Sequence, residues 1–314
     1  MASGAWFAAD GAGRVVTGPP HATRPWPGLG LALAGAIAFS GKAIIVKLAY
    51  RHGVDAVTLI MLRMLFALPL FLLLAWWAGR GRPPLSARDW RAVAWLGFSG
   101  YYLASFLDFA GLQYVSASLE RLIQYLGPTL VLLLGRLLLG RRIVPRQLLA
   151  LAISYVGVGL VFAQELKLEG ADVALGSALV FASMLSYALY LLYSGEVVQR
   201  LGALRLTGLA TSVACALCIG QYLLLRPWDS ALQLAPAVWW LSLLNATACT
   251  FAPVLLVMMA IERIGAAAAS QAGMIGPLST IGMGVAILGE PFSGWLAAGT
   301  VLVLAGIAVL GRAR

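Results

Sequence analysis

The sequence predicts an all-α polytopic membrane protein, ten transmembrane helices folded as two inverted five-helix repeats. Three observations carry that expectation: a composition too apolar for water, apolar blocks of membrane-spanning length, and an internal repeat whose unit holds an odd number of blocks. Of 314 residues, 61% are hydrophobic and 11% charged, against about 45–50% and about 25% in a soluble domain, so a soluble globular fold is excluded. The apolar residues fall in blocks of about twenty, the helical length that crosses about 30 Å of hydrocarbon. They lack the apolar–polar alternation of membrane β-barrels.

Residues 1–27, with Pro19, Pro20, Pro25 and Pro27, are expected to form a disordered tail, and no apolar run there is long enough for a signal-peptide core. Ten blocks follow at 28–50, 56–78, 92–112, 117–138, 146–163, 172–194, 203–225, 236–260, 265–288 and 293–311. Connections are short, so successive helices are antiparallel neighbours, and the blocks group into two units, 28–163 and 172–311. The first block carries Lys42 and Lys47, and the second carries Arg63 and Pro69. On the third, Tyr101, Ser105 and Asp108 recur at i, i+4 and i+7, a polar stripe that Glu120 and Gln124 continue on the fourth. The sixth places Ser183, Ser186, Tyr187, Tyr190 and Ser194 on one broad face. Cys215, Cys218 and Cys249 all lie inside apolar blocks, which gives neither a disulfide framework nor zinc spacing; the Cys215–Cys218 pair reads as packing. No metal or cofactor is expected.

Positively charged loops are retained in the cytoplasm. With the tail inside, fifteen of the 22 lysines and arginines fall on inner segments and three, Arg51, Lys167 and Arg226, on outer loops; Lys42, Lys47, Arg63 and Arg121 lie within blocks. Both termini are therefore expected in the cytoplasm. The net charge of +10, which in a soluble chain points to nucleic acid, is topological here, and no nucleic-acid partner is expected. Trp76, Trp77, Trp90 and Trp95 on the inner side, with Trp228, Trp239, Trp240 and Trp295 on the outer, are placed for interfacial belts.

An offset of 149 residues aligns Gly127-Pro128 with Gly276-Pro277, Gly135 with Gly284, Leu139-Gly140 with Leu288-Gly289 and Gly157 with Gly306; an offset of 146 pairs Gly30 with Gly176 and Ser40 with Ser186. Five helices per unit force the second copy to enter the membrane from the opposite side. Inverted halves are a transporter architecture, with a binding site near the midplane between them. The stretch from Gly127-Pro128 to Leu139-Gly140-Arg141 and its counterpart from Gly276-Pro277 to Leu288-Gly289-Glu290-Pro291, each followed by a glycine-containing terminal helix, resemble the EamA-like family of the drug/metabolite transporter superfamily over about residues 28–311. That family usually has Gly-Glu at the end of both stretches, whereas the first copy here reads Gly140-Arg141. The resemblance implies a polytopic carrier of the bacterial inner membrane, most often an exporter of amino acids or related metabolites. Its partners would be a small-molecule solute and membrane lipid, with a homodimer left open.

A charge at the bilayer centre costs about 2.5–3.5 kcal/mol on insertion scales, so those retained face a cavity or a partner. Lys42, Lys47, Arg63, Asp108, Glu120 and Arg121 fall in the outer half of the first repeat and sum to +2. Lys42 and Arg63 are expected to hold a carboxylate-bearing solute, with an ion pair to Asp108 as the structural rival. Asp108 and Glu120 balance the surplus, bind an amino group or carry a proton. Lys47, Glu120 and Arg121 lie close enough to the interface to snorkel. Tyr101, Tyr187 and Tyr190 are candidates for the pathway. Pro128 and Pro277, as hinges, free the carbonyls of Gln124 and Gly273; with Gln124, Tyr125, Ser270 and Gln271 they mark a central site. Glu290 is expected to cap or order an outer turn.

A lipid or lipid-linked head-group flippase is the alternative within the carrier class, with a channel as a further one. An enzyme is not expected: His21 and His52 are the only histidines, and no block holds HExxH, GxSxG or paired acids. No nucleotide-binding loop is present, which excludes ATP as the energy source.

Overall fold

The structure, a computed structural model, describes residues 25–140 and 142–311; the side chains at 25, 26, 169, 266, 267, 270, 271 and 311 lie outside that description. Every regular element among the described residues is helical. α1 (Pro25–Tyr50) and α2 (Ala56–Gly79) are followed by α3 (Ala87–Leu96), which runs through a π turn (Gly97–Leu103) into α4 (Ala104–Gly111). Then come α5 (Ala117–Gln124), α6 (Gly127–Leu139), α7 (Pro145–Glu169), α8 (Asp172–Leu201) and α9 (Ala203–Leu225). α10 (Pro236–Ala246) runs through a second π turn (Thr247–Phe251) into α11 (Ala252–Gly273), and α12 (Ile275–Met283), with a third π turn (Gly284–Leu288), precedes α13 (Gly294–Gly311). Among the described residues, seven helical stretches are long and apolar enough to cross a membrane: Pro27–Tyr50, Ala56–Gly79, Ala117–Leu139, Pro145–Leu168, Asp172–Leu201, Ala203–Leu225 and Pro236–Gly265; Ile275–Leu288 and Gly294–Leu310 are shorter apolar helices.

The boundaries have local causes. Asp55 caps α2, its carboxylate accepting from the backbone N–H of Val57 (2.9 Å) and Thr58 (3.2 Å), and Ser86 and Asp89 close a capping box on α3. Proline stands in the first turn of α6, α7 and α10, where no intrahelical donor is lost. The repeated Leu-Gly pairs mark matched helix ends: Gly140 and Gly289 adopt φ of 63° and 75°, a left-handed conformation that a side chain would oppose.

The interruptions are matched as well. The fourth block breaks at Tyr125–Leu126, between α5 and α6, and the ninth at Met274, between α11 and α12. The 149-residue offset carries residue 125 onto residue 274 and the π turn at 97–103 onto 246–252, which overlaps the one at 247–251. A π turn inserts one residue into the helix and recurs at functional sites.

The two parts of the chain interlock helix against helix. α7 packs on α13, α1 on α11, α2 on α9 and α4 on α8. Directions follow from the contacts: Ser183 bonds to Ala104 where Ser186 bonds to Ser99, and Gly208 faces Ala75 where Cys215 faces Met64. Each of these pairs is antiparallel. α7 and α13 approach closest at glycines: a Cβ on Gly157 would lie 2.7 Å from the carbonyl oxygen of Gly299, while one on Gly159 would meet nothing within 4 Å. Gly157→Val is therefore expected to lower the thermal unfolding midpoint in detergent, overpacking costing about 1–3 kcal/mol, and Gly159→Val to leave it unchanged.

The polarity of the bundle is inside out. Leu72, Leu73, Trp76, Trp77, Trp240 and Leu224 are exposed, whereas Lys42, Arg63, Asp108, Glu120 and Arg121 are buried. Seven of the eight tryptophans expected in belts are exposed. Trp239 instead turns inward, its ring 6.2 Å from that of Phe66.

Candidate functional site

The buried charges gather where α1, α4, α5 and α12 meet. Lys42 Nζ donates to Asp108 Oδ2 at 2.6 Å and lies 3.5 Å from Glu120 Oε1. The Gln124 amide bridges both acids, its Nε2 donating to Asp108 Oδ1 (2.7 Å) and Glu120 Oε1 (2.5 Å). Arg121 Nε donates to Thr280 Oγ1 at 2.9 Å, and its Nη2 reaches the carbonyls of Phe39 (3.4 Å) and Ser40 (3.5 Å). One arm of the network thus comes from α12, far away in sequence.

Glu120 and Arg121 correct the interfacial expectation, since they are 0% and 3% exposed. The cause is the cover over the start of α5. Ser116, its cap, donates through Oγ to Glu165 Oε1 at 2.5 Å. Glu290 accepts from Ala117 N (2.6 Å), Ser118 N (3.2 Å) and Ser118 Oγ (2.6 Å). A turn that would otherwise end at water lies beneath two carboxylates, which also suit the positive end of the helix dipole. The capping role expected of Glu290 is realised on a helix 172 residues away in sequence. Glu290→Ala is expected to cost about 0.5–2 kcal/mol, the usual loss for a helix cap, as a lowered unfolding midpoint in detergent.

Arg63 stands apart. It is 6% exposed, its guanidinium carbon lies 5.0 Å from the centre of the Phe109 ring, and its Nε has no hydrogen-bond partner. Among the described residues it forms no ion pair, whereas Lys42 and Arg121 sit against Asp108 and Glu120. Two cations balance two acids, and Arg63 is the charge left over. Its neighbours include Asp108 and the thiols of Cys215, Cys218 and Cys249, which are free and buried.

Tyr101, Tyr187 and Tyr190 also come together. The hydroxyls of Tyr101 and Tyr190 are 3.2 Å apart with rings edge-on at 5.1 Å, and Tyr187 stacks on Tyr190 at 5.4 Å. The stripe expected to unite Tyr101 with Asp108 is divided, since Tyr101 lies in the π turn and meets α8 while Asp108 lies in α4 and meets α1 and α5. Serines of α8 serve the backbone instead of the pathway. Ser183 Oγ donates to the Ala104 carbonyl (2.6 Å) and Ser186 Oγ to that of Ser99 (2.8 Å).

At the ninth-helix break, the carbonyl that Pro277 frees at Gly273 accepts the Tyr125 hydroxyl at 3.0 Å. Ser40 Oγ donates to the neighbouring Gly276 carbonyl, also at 3.0 Å. The paired breaks at Pro128 and Pro277 are therefore joined by a hydrogen bond. Gln271 and Ser270 have side chains outside the described residues. Sequence reasoning did not single out Ser40, Phe39 or Thr280 as site residues; only Ser40 left a trace, as a matched position in the repeat.

A hydrophobic exterior around a buried polar centre defines a polytopic helical membrane protein. The EamA-like transporter family model matches residues 26–163 and again 174–312, and the chain belongs to that family of membrane transporters. An uncharacterized transporter, YcbK, of Bacillus subtilis (strain 168) is 28% identical over 271 residues, covering 82% of this chain and 84% of that one. A chain solved by crystallography and described only as a protein has a TM-score of 0.58 at 18% identity, covering 92% of this chain and 98% of that one; this is a likeness of fold.

Proposed function

We propose that the protein is a secondary carrier that exports small carboxylate-bearing metabolites, amino acids or related solutes, across the bacterial inner membrane by alternating access, with both termini cytoplasmic. The observation that carries this reading is Arg63, a buried guanidinium without an ion pair among the described residues, beside a charge-balanced network. An uncompensated cation in an apolar bundle is costly, and a solute carboxylate would complete it. Asp108, Glu120 and Gln124, in the neighbouring network, offer acceptors to an amino group, or a place to exchange it for a proton. Lys42 then positions the acids instead of gripping cargo.

Two family matches in tandem support an architecture of ten spans in two inverted halves. So do the antiparallel contacts of α2 with α9 and α7 with α13, which the repeat makes equivalent, and the matched breaks and π turns. Hinges at Pro128 and Pro277 would let the halves rock about the centre. Tyr101, about two turns from Asp108 along the third span, and Tyr187 and Tyr190, which meet it from α8, would line the route.

Counterflow into proteoliposomes tests the reading, using labelled amino acids and the corresponding amines that lack the carboxylate, with and without a pH gradient. Exchange of the amino acids alone is expected. Equal exchange of the amines would overturn the role given to Arg63, and acceleration by the gradient would identify proton coupling.

A further inference from the structure

Far from the charged centre, a cavity of about 430 Å³ opens where α2 ends and α9 begins, lined by Trp77, Arg80, Arg82, Leu204, Arg205 and Met258 among others. Three guanidinium groups converge there, and no lining residue is acidic. Each is held in place. Arg80 lies over Trp76, its guanidinium carbon 3.7 Å from the ring centre; Arg82 Nη1 donates to the Leu201 carbonyl at 2.6 Å; both Nη atoms of Arg205 donate to Pro83 O at 3.1 Å. The nearby acids are engaged elsewhere, Asp89 with Arg200 at 2.7 Å and Glu196 with Arg88 at 3.1 Å. None of the three arginines forms an ion pair among the described residues.

An apolar track leads into this cavity. Leu65, Pro69, Leu72, Leu73, Trp76 and Trp77 form an exposed stripe down α2 that ends at Arg80, about 22 Å at 1.5 Å per residue. That is enough to accommodate an acyl chain from the middle of the bilayer to its head group. Guanidinium forks match phosphate oxygens, and basic pockets between helices at a membrane face take anionic head groups.

We propose that this cavity binds the phosphodiester of an anionic diacyl phospholipid, with the acyl chains lying along the α2 stripe. Three positive charges, with Asp89 near Arg205 already paired to Arg200, repel an ammonium, so a zwitterionic ethanolamine head group is disfavoured. The site is separate from the pathway and does not depend on the proposed cargo.

The test is native mass spectrometry of the full chain in detergent, titrated separately with dioleoylphosphatidylglycerol, dioleoylphosphatidylethanolamine and inorganic phosphate. Phosphatidylglycerol is expected to remain bound, phosphatidylethanolamine to be retained several-fold less, and inorganic phosphate not to displace the lipid. Arg80→Gln, at an exposed side chain whose ring contact is only with Trp76, is expected to weaken phosphatidylglycerol about fivefold, the effect of one basic residue at a membrane surface, and Arg80→Lys to retain most of it. Equal retention of the two lipids, or unchanged binding by Arg80→Gln, would overturn the proposal. Inorganic phosphate that binds alone and displaces the lipid would make the cavity a free-anion site and overturn it equally.

Discussion

Arg63→Gln is expected to leave the protein folded while slowing carboxylate counterflow about 10–100-fold. A hydrogen bond to a charged group contributes about 1.5–3 kcal/mol, and each 1.4 kcal/mol is about tenfold. Stability is expected to move the other way from activity. Losing the contact with Phe109 costs up to about 2 kcal/mol, but removing an unpaired buried charge relieves a desolvation penalty of several kcal/mol. The desolvation effect is the larger, so the unfolding midpoint in detergent should hold or rise. Arg63→Lys, which retains charge without the bidentate fork, is expected to keep part of the rate. Normal counterflow in Arg63→Gln would exclude this side chain from cargo binding.

Lys42→Met is expected to do the opposite to stability. Its ammonium is the shared partner of Asp108 and Glu120, and its loss leaves two buried carboxylates with the Gln124 amide and the single charge of Arg121. Breaking a buried pair from one side costs about 3–5 kcal/mol. The double variant Lys42→Met with Asp108→Leu, which removes one charge of each sign, is expected to recover a large part of that loss. Melting curves of the two single variants and the double, set out as a thermodynamic cycle, measure the coupling. If Lys42→Met proved as stable as Arg63→Gln, the division between a structural lysine and a cargo-facing arginine would fail.

What could be read in the sequence was what depends on local chemistry. The helix ends at Gly140 and Gly289 follow from glycine's freedom at positive φ, and the breaks near Pro128 and Pro277 follow from a missing N–H. Even the freed Gly273 carbonyl was foreseeable, though its partner Tyr125 was not. Depth along a helix was legible too, but cover was not: Glu120 and Arg121 lie close to a helix end, and nothing nearby in sequence reveals that Glu165 and Glu290 cover that end. Periodicity failed at Tyr101 and Asp108, because the intervening π turn adds a residue and rotates one side chain away from the other. The leftover charge on Arg63 was visible only as a net sum over the blocks. Its isolation needed coordinates, since any of three cations could have taken Asp108.

The bond from the Tyr125 hydroxyl to the Gly273 carbonyl has a mechanical consequence. Tyr125 stands at the discontinuity of one helix and Gly273 at the discontinuity of another, so a movement at either joint that kept the bond would be passed to its twin. Under the rocking proposed above, this tie would make the two bends move as one lever, so that widening one mouth would narrow the other in the same stroke. Tight stoichiometry without leakage would then be a property of how two backbone faults are tied, independent of which solute is aboard.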